Sequence, residues 1–276
     1  MIIWIASYPK SGNTWIRSFL SSYIYTNDGT FNFNLLNKID QFPLLKYYNK
    51  INLYPKNLSE AAQGWVTAQQ VINLDNKIHF MKTHNAMCTI NGNPFTNKEN
   101  SLGAIYIVRD PRDILISYSN FLNMNYSETL NELTRKNNTS FLNDTVDTKN
   151  IVGSLMGSWS ENFNSWEKYN LTKKIIIRYE DLISNPYETF LKIITYLNNL
   201  YGLEINKKKI QMSIESTKFV NLQNLEKRNM FFEKSKNTKV FFREGKIKQW
   251  EKKLDIKMLN KIKEKFSKEM IKLGYL

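Results

Sequence analysis

The sequence predicts an α/β fold, a single domain with a central parallel β-sheet flanked by helices. Short apolar runs bounded by polar residues alternate with helical patterns, which is how strands buried on both faces of a parallel sheet read. The first run leads through a glycine-containing turn into a helix, a P-loop-like phosphate-binding strand–loop–helix. With 276 residues, 42% of them hydrophobic and 13% aromatic, the chain can bury one sizeable core and is too apolar for disorder.

The predicted strands are Ile2–Ser7, Ile78–Lys82, Ala104–Val108 and Lys174–Arg178. Helical spacing covers Thr14–Tyr25, about Ser59–Leu74, Pro111–Leu122 with proline in its first turn, Val152–Tyr169, and Pro186–Asn198 after a second N-terminal proline. Asn123–Asn150 is polar and aperiodic and reads as an inserted excursion or mobile loop. Glu226–Val240 is charged and glycine-free, with Phe231 and Phe232 its bulky apolar pair, and is expected to act as a lid. From Ile256 to about residue 274, Leu259, Ile262, Phe266, Met270 and Leu273 recur at helical spacing, the mark of a core-facing amphipathic helix.

In an open parallel sheet, ligands bind at the carboxyl ends of the strands, and three constellations fall there. The first is Tyr8-Pro9-Lys10-Ser11-Gly12-Asn13-Thr14-Trp15: Gly12 admits an anion close to the backbone, and Lys10, Ser11 and Thr14 add charge and hydroxyls. Its lysine precedes the glycine, whereas a Walker loop has it directly after. The second is Lys82-Thr83-His84, which sets an imidazole able to take a proton near neutrality beside a lysine. His79 lacks such company and reads as structural. In the third, Arg109 ends a strand and Ser117 lies about two turns into the following helix, a guanidinium and a hydroxyl suited to a phosphate. Asp110 and Arg112 between them are expected to pair at the helix start.

The first octapeptide closely resembles the 5′-phosphosulfate loop of the sulfotransferases that use 3′-phosphoadenosine 5′-phosphosulfate (PAPS), and the resemblance extends from residue 2 to about 252. It implies that His84 is the general base, that Lys10 neutralises the leaving bridging oxygen, and that Lys82 holds sulfuryl oxygens. It further implies that Arg109 and Ser117 bind the 3′-phosphate, with Ser117 alternatively holding Lys10. Trp15 is expected to stack on the adenine and Tyr179 to contact it, with Thr217 and Phe219 as a second adenine contact. Phe241-Phe242-Arg243-Glu244-Gly245 is similar to the family's Arg-Lys-Gly loop. Arg243 and Gly245 match it, Glu244 and Glu251 stand where lysines are usual, and Lys248 stands for a glycine. Asn13 stands where the eukaryotic enzymes usually have threonine, and points to a bacterial branch.

The expected activity is sulfuryl transfer from PAPS, giving adenosine 3′,5′-bisphosphate (PAP), to an alcohol or phenol without a metal. The alternative is a P-loop kinase or a non-catalytic nucleotide-binding protein. A P-loop kinase carries its lysine and the magnesium-binding Ser/Thr directly after the glycine, an order that Lys10-Ser11-Gly12 reverses.

The net charge of +14 attracts anions, but the lysines are spread along the chain, so a local basic cleft for a nucleotide is expected and no nucleic-acid partner. Cys88 is the only cysteine, and no apolar run is long enough for a bilayer. With no signal-like N-terminus, these features lead to the expectation of a cytoplasmic protein without membrane partners. The acceptor pocket is expected to draw on Phe31–Tyr54, the region after His84, Asn123–Asn150 and Asn221–Val240, with Tyr47, Tyr48, Tyr54 and Phe231 in its walls.

Overall fold

A computed structural model describes residues 1–140, 152–170, 172–228, 231, 233–234 and 240–276. Its centre is a five-stranded, wholly parallel sheet made of β1 (Ile2–Ser7), β2 (Asp40–Gln41), β3 (His79–Thr83), β4 (Ser101–Val108) and β5 (Lys173–Arg178). The spatial order is β2-β3-β1-β4-β5. Strand β1 therefore sits between β3, with Ile5 opposite Lys82, and β4, with Ser7 opposite Ile107.

Alternation along the strands divides the core in two. Ile3, Ile5, Phe80, Ile105, Ile107 and Ile177 face helix α1 (Asn13–Tyr25), through Ile16, Phe19 and Leu20, and the Pro186–Tyr201 helix, through Phe190, Ile193 and Leu197. Trp4, Ala6, Met81, Ala104 and Tyr106 face the other way. They pack with Trp65 of the Leu58–Asn73 helix, Trp159 and Trp166 of the Trp159–Lys168 helix, and Phe266 and Met270 of the Ile256–Lys272 helix. The lysine-laced tail thus forms a helix whose apolar stripe closes the second core.

Two segments differ from the sequence expectation. Within the supposedly aperiodic 123–150 excursion, Tyr126–Thr134 is a helix: Asn125 and Glu128 close a reciprocal capping box, and Leu130 and Leu133 bury one face. The helix expected from Val152 begins only at Trp159, behind a Ser158–Glu161 capping box. Gly157 ahead of it has φ +66°, outside the right-handed helical range, and Ser154–Leu155 instead pairs antiparallel with Thr139–Ser140. Residues 141–150 of the excursion, and 229, 230, 232 and 235–239 of the expected lid, lie outside the described residues.

Candidate active site

The carboxyl ends of four neighbouring strands deliver the site. After β1 comes the turn Tyr8–Gly12, after β3 comes His84, after β4 comes Arg109, and Tyr179 follows β5. They border a cavity of about 930 Å³. Lys10, Gly12, Asn13, Thr14, Trp15, Lys82, His84, Arg109, Ser117, Tyr179, Phe219, Phe242, Arg243 and Gly245 all line it, although they are drawn from positions spread over more than 230 residues.

The turn is shaped for close approach. Gly12 has φ +99°, and a Cβ there would stand 2.5 Å from Cδ2 of Tyr179. The Tyr179 ring is therefore wedged between the turn and the Arg109 guanidinium, which lies 4.2 Å from the ring centroid. Arg109 is further held by its own donors, Nη1 to the Lys10 carbonyl at 3.1 Å and Nη2 to the Lys246 carbonyl at 3.0 Å. Among the described residues, its Nε, the Ser11 hydroxyl and the Trp15 indole nitrogen are buried without a hydrogen-bond partner. Three orphaned donors around a glycine cradle fit an anionic, oxygen-rich ligand, because each costs free energy until an acceptor arrives.

His84 is oriented from below. Its Nδ1 donates to the Ser7 carbonyl at 2.7 Å, which assigns the proton to Nδ1 and leaves Nε2 as the accepting atom. Burial, with the nearby Lys82 charge, pushes its pKa down to about 3, so the ring is neutral at physiological pH.

Lys10 has φ +66°, and its ammonium lies 4.5 Å from the ring centroids of both Phe121 and Phe241. Burial first, then the Arg109, Lys82 and Arg243 charges, lower its pKa to about 7, against a smaller upward pull from Glu233. Lys82 is likewise lowered by burial, partly offset by Glu233.

Several residues singled out in the sequence are committed elsewhere. The Asn13 side chain turns into the fold, donating to the Ile5 carbonyl at 3.0 Å and the Ser7 hydroxyl at 3.2 Å. Thr217 does not border the cavity: it is fully buried and its hydroxyl donates to the Ser213 carbonyl at 2.6 Å, at the end of the Lys207–Ser216 helix. Ser11 lies just behind the wall, its side chain fully buried. Trp15 meets Tyr179 and Phe190 edge-on. Asp110 and Arg112 form the expected pair at 2.6 Å. Tyr47 and Tyr48 point into the core and Tyr54 into solvent, so the aromatic wall is built instead by Tyr118, Phe121, Phe219, Phe241 and Phe242.

Other residues had escaped notice. Asp113 accepts from the backbone amides of Lys248, Gln249 and Trp250, and Glu226 accepts from those of Phe241 and Phe242, so two carboxylates pin both ends of the loop that carries Arg243. Within that loop Gly245 has φ +61° and packs on Phe219, where a Cβ would come within 2.3 Å of the ring. Glu244, in a position where lysine is usual, ties Arg243 at 3.1 Å to Lys253. A buried Arg17 and a half-buried Glu233 form an ion pair in the cavity wall.

Residues 2–274 match the family described as the sulfotransferase domain. The chain belongs to this family. Among relatives, the amine sulfotransferase of Oryctolagus cuniculus is 24% identical over 274 residues, covering 97% of this chain and 80% of the relative. Sulfotransferase 1E1 of Mus musculus is 25% identical, covering 89% and 75%. The same fold occurs in mouse sulfotransferase SULT7A1 complexed with PAP, with a TM-score of 0.62 at 19% identity, covering 98% of this chain and 84% of that one. It occurs also in retinol dehydratase in complex with retinol and PAP, with a TM-score of 0.63 at 16% identity, covering 98% and 81%. In this member of the sulfotransferase domain family, the Tyr8–Gly12 turn and the Lys82-Thr83-His84 segment lie at the ends of adjacent, hydrogen-bonded strands.

Proposed function

We propose that this protein transfers the sulfuryl group of PAPS to a hydroxyl of a small-molecule alcohol or phenol. The observation that carries the reading is that a neutral, backbone-anchored His84 and a desolvated Lys10 border one cavity that Arg109, Ser117 and Arg243 also line. Relatives with solved structures bind PAP, and in one case retinol, an alcohol.

The chemistry follows from the side chains. His84 Nε2 accepts the proton of the acceptor hydroxyl as its oxygen attacks sulfur, while the bond from sulfur to the bridging oxygen breaks and PAP leaves. The Ser7 carbonyl stabilises the imidazolium so formed, since it already accepts from Nδ1. Lys10 meets the negative charge that grows on the bridging oxygen. Being buried between two phenyl rings, it acts where solvent screens little. Lys82 holds sulfuryl oxygens. Arg109, fixed by two carbonyls and one ring, and Arg243 hold the terminal 3′-phosphate, with Ser117 beside them.

Incubation with sulfur-labelled PAPS and a panel of alcohols, phenols, sugars and amines tests the reading. It predicts a labelled sulfate ester from at least one hydroxyl acceptor, with stoichiometric PAP. Label appearing only in amines would reassign the acceptor class. Phosphoryl transfer from ATP with Mg²⁺ and no turnover of PAPS would replace the reading by a kinase.

A further inference from the structure

Arg17 belongs to none of the motifs above, yet it is among the largest fully buried side chains of the protein. It lies one turn beyond Thr14 on α1, and its Nε donates at 3.0 Å to Oδ1 of Asn13, itself tied to β1, so the guanidinium is held in place. Its Nη2 reaches both carboxylate oxygens of Glu233 at 2.7 Å and lies 3.4 Å from the Thr14 hydroxyl. The same carboxylate accepts from Thr14 Oγ1 at 3.3 Å and from Lys82 Nζ at 3.4 Å. One internal anion thus gathers three donors, two of which stand at positions that the family resemblance gives to the donor nucleotide.

All four residues line the cavity, together with the cations Lys10, Arg109 and Arg243. A carboxylate offers these donors the charge and closely spaced oxygens that a phosphate or sulfuryl group also offers. The two cannot use the same N–H and O–H groups at once.

Resting on the PAPS reading above, we infer that Arg17, Thr14 and Lys82 form a subsite for oxyanions at the 5′ end of the donor, and that Glu233 fills it until the donor takes its place. Arg17 then exchanges one anionic partner for another, so a buried guanidinium never stands uncompensated. Glu233 serves as a positioning residue for the empty site and a competitor of the incoming anion.

Calorimetric titration of Glu233→Gln with PAP, PAPS and adenosine 3′-phosphate tests this. Neutralising Glu233 is expected to tighten PAP by about tenfold, the scale of one charge-assisted contact, and to leave adenosine 3′-phosphate, which has no 5′ anion, nearly unchanged. A gain for PAPS larger than for PAP places sulfuryl oxygens in the subsite, and an equal gain places the 5′-phosphate there. Adding Arg17→Gln to Glu233→Gln should weaken PAP by about tenfold again, because Arg17 is then a ligand of the nucleotide and not merely a counter-ion for Glu233. Retained affinity for adenosine 3′-phosphate certifies that each variant is folded, and Arg17→Lys replaces Arg17→Gln if the latter is not. Unchanged or weaker PAP binding by Glu233→Gln overturns the inference, as does a silent Arg17→Gln in that background. Failure of the unaltered protein to bind PAP at all would instead overturn the PAPS reading.

Discussion

Replacing His84 by alanine is expected to lower turnover by about 10²-fold or more, the usual contribution of a positioned general base, while PAP affinity stays nearly unchanged. The separation follows from the geometry. The ring is anchored through Nδ1 to the Ser7 carbonyl and offers Nε2 alone, whereas the groups proposed for the nucleotide are Lys10, Arg109 and Arg243. With the pKa pushed down to about 3 in the ligand-free protein, the imidazole is already in its accepting form at neutral pH, so kcat/KM should show no acidic limb from His84 between pH 5 and 8. Steady-state kinetics with the true acceptor, set beside calorimetry with PAP, checks both halves. Full activity in the alanine variant would mean that the base lies elsewhere.

Lys10→Ala should damage both properties: turnover by about 10²-fold or more, because preorganised charge at the leaving oxygen is lost, and PAPS affinity as well. Lys10 also predicts a pH dependence. Burial and the neighbouring Arg109, Lys82 and Arg243 charges lower its pKa to about 7, with Glu233 opposing them, so the ammonium is charged below that value and progressively neutral above it. Anion binding favours the charged form. PAP affinity should therefore fall as pH rises past about 7, and PAP binding just above that pH should take up a proton. Calorimetry in buffers of different ionisation enthalpy measures the uptake. It should vanish in Lys10→Ala, and a pH-independent affinity from 6 to 9 would contradict the assignment.

Four of the five strands were legible because each is built around a compact apolar run, and β1 is observed over the predicted Ile2–Ser7, whereas the edge strand β2 (Asp40–Gln41) is two polar residues and carries no such signal. Strand-end residues were legible for the same reason: a turn or a charged residue directly after a buried strand can only face the carboxyl edge of the sheet, which is where Lys10, His84 and Arg109 are found. The Tyr126–Thr134 helix carried its own signal in Asn125 and Glu128, masked by the polar composition around it.

Side-chain direction was not legible. Asn13 and Thr217 sit in the expected segments but satisfy hydrogen bonds inside the fold, a competition between backbone and ligand that no local pattern reveals. Nor were the long-range carboxylates: Glu233 meets Arg17 across 216 positions, and Asp113 caps amides 135 to 137 positions away. Such pairs have no period and are set only when the chain closes.

The central claim is that this cavity recognises a nucleotide through both of its phosphates, at the strand-end turn and at Arg109. The most direct measurement compares PAP with AMP by calorimetry, in the unaltered protein and in Arg109→Ala. PAP should bind more tightly by about tenfold or more, since each charge-assisted contact to the extra phosphate is worth about 1.5–3 kcal/mol, and Arg109→Ala should remove most of that difference. Equal affinities for PAP and AMP in the unaltered protein would contradict the account.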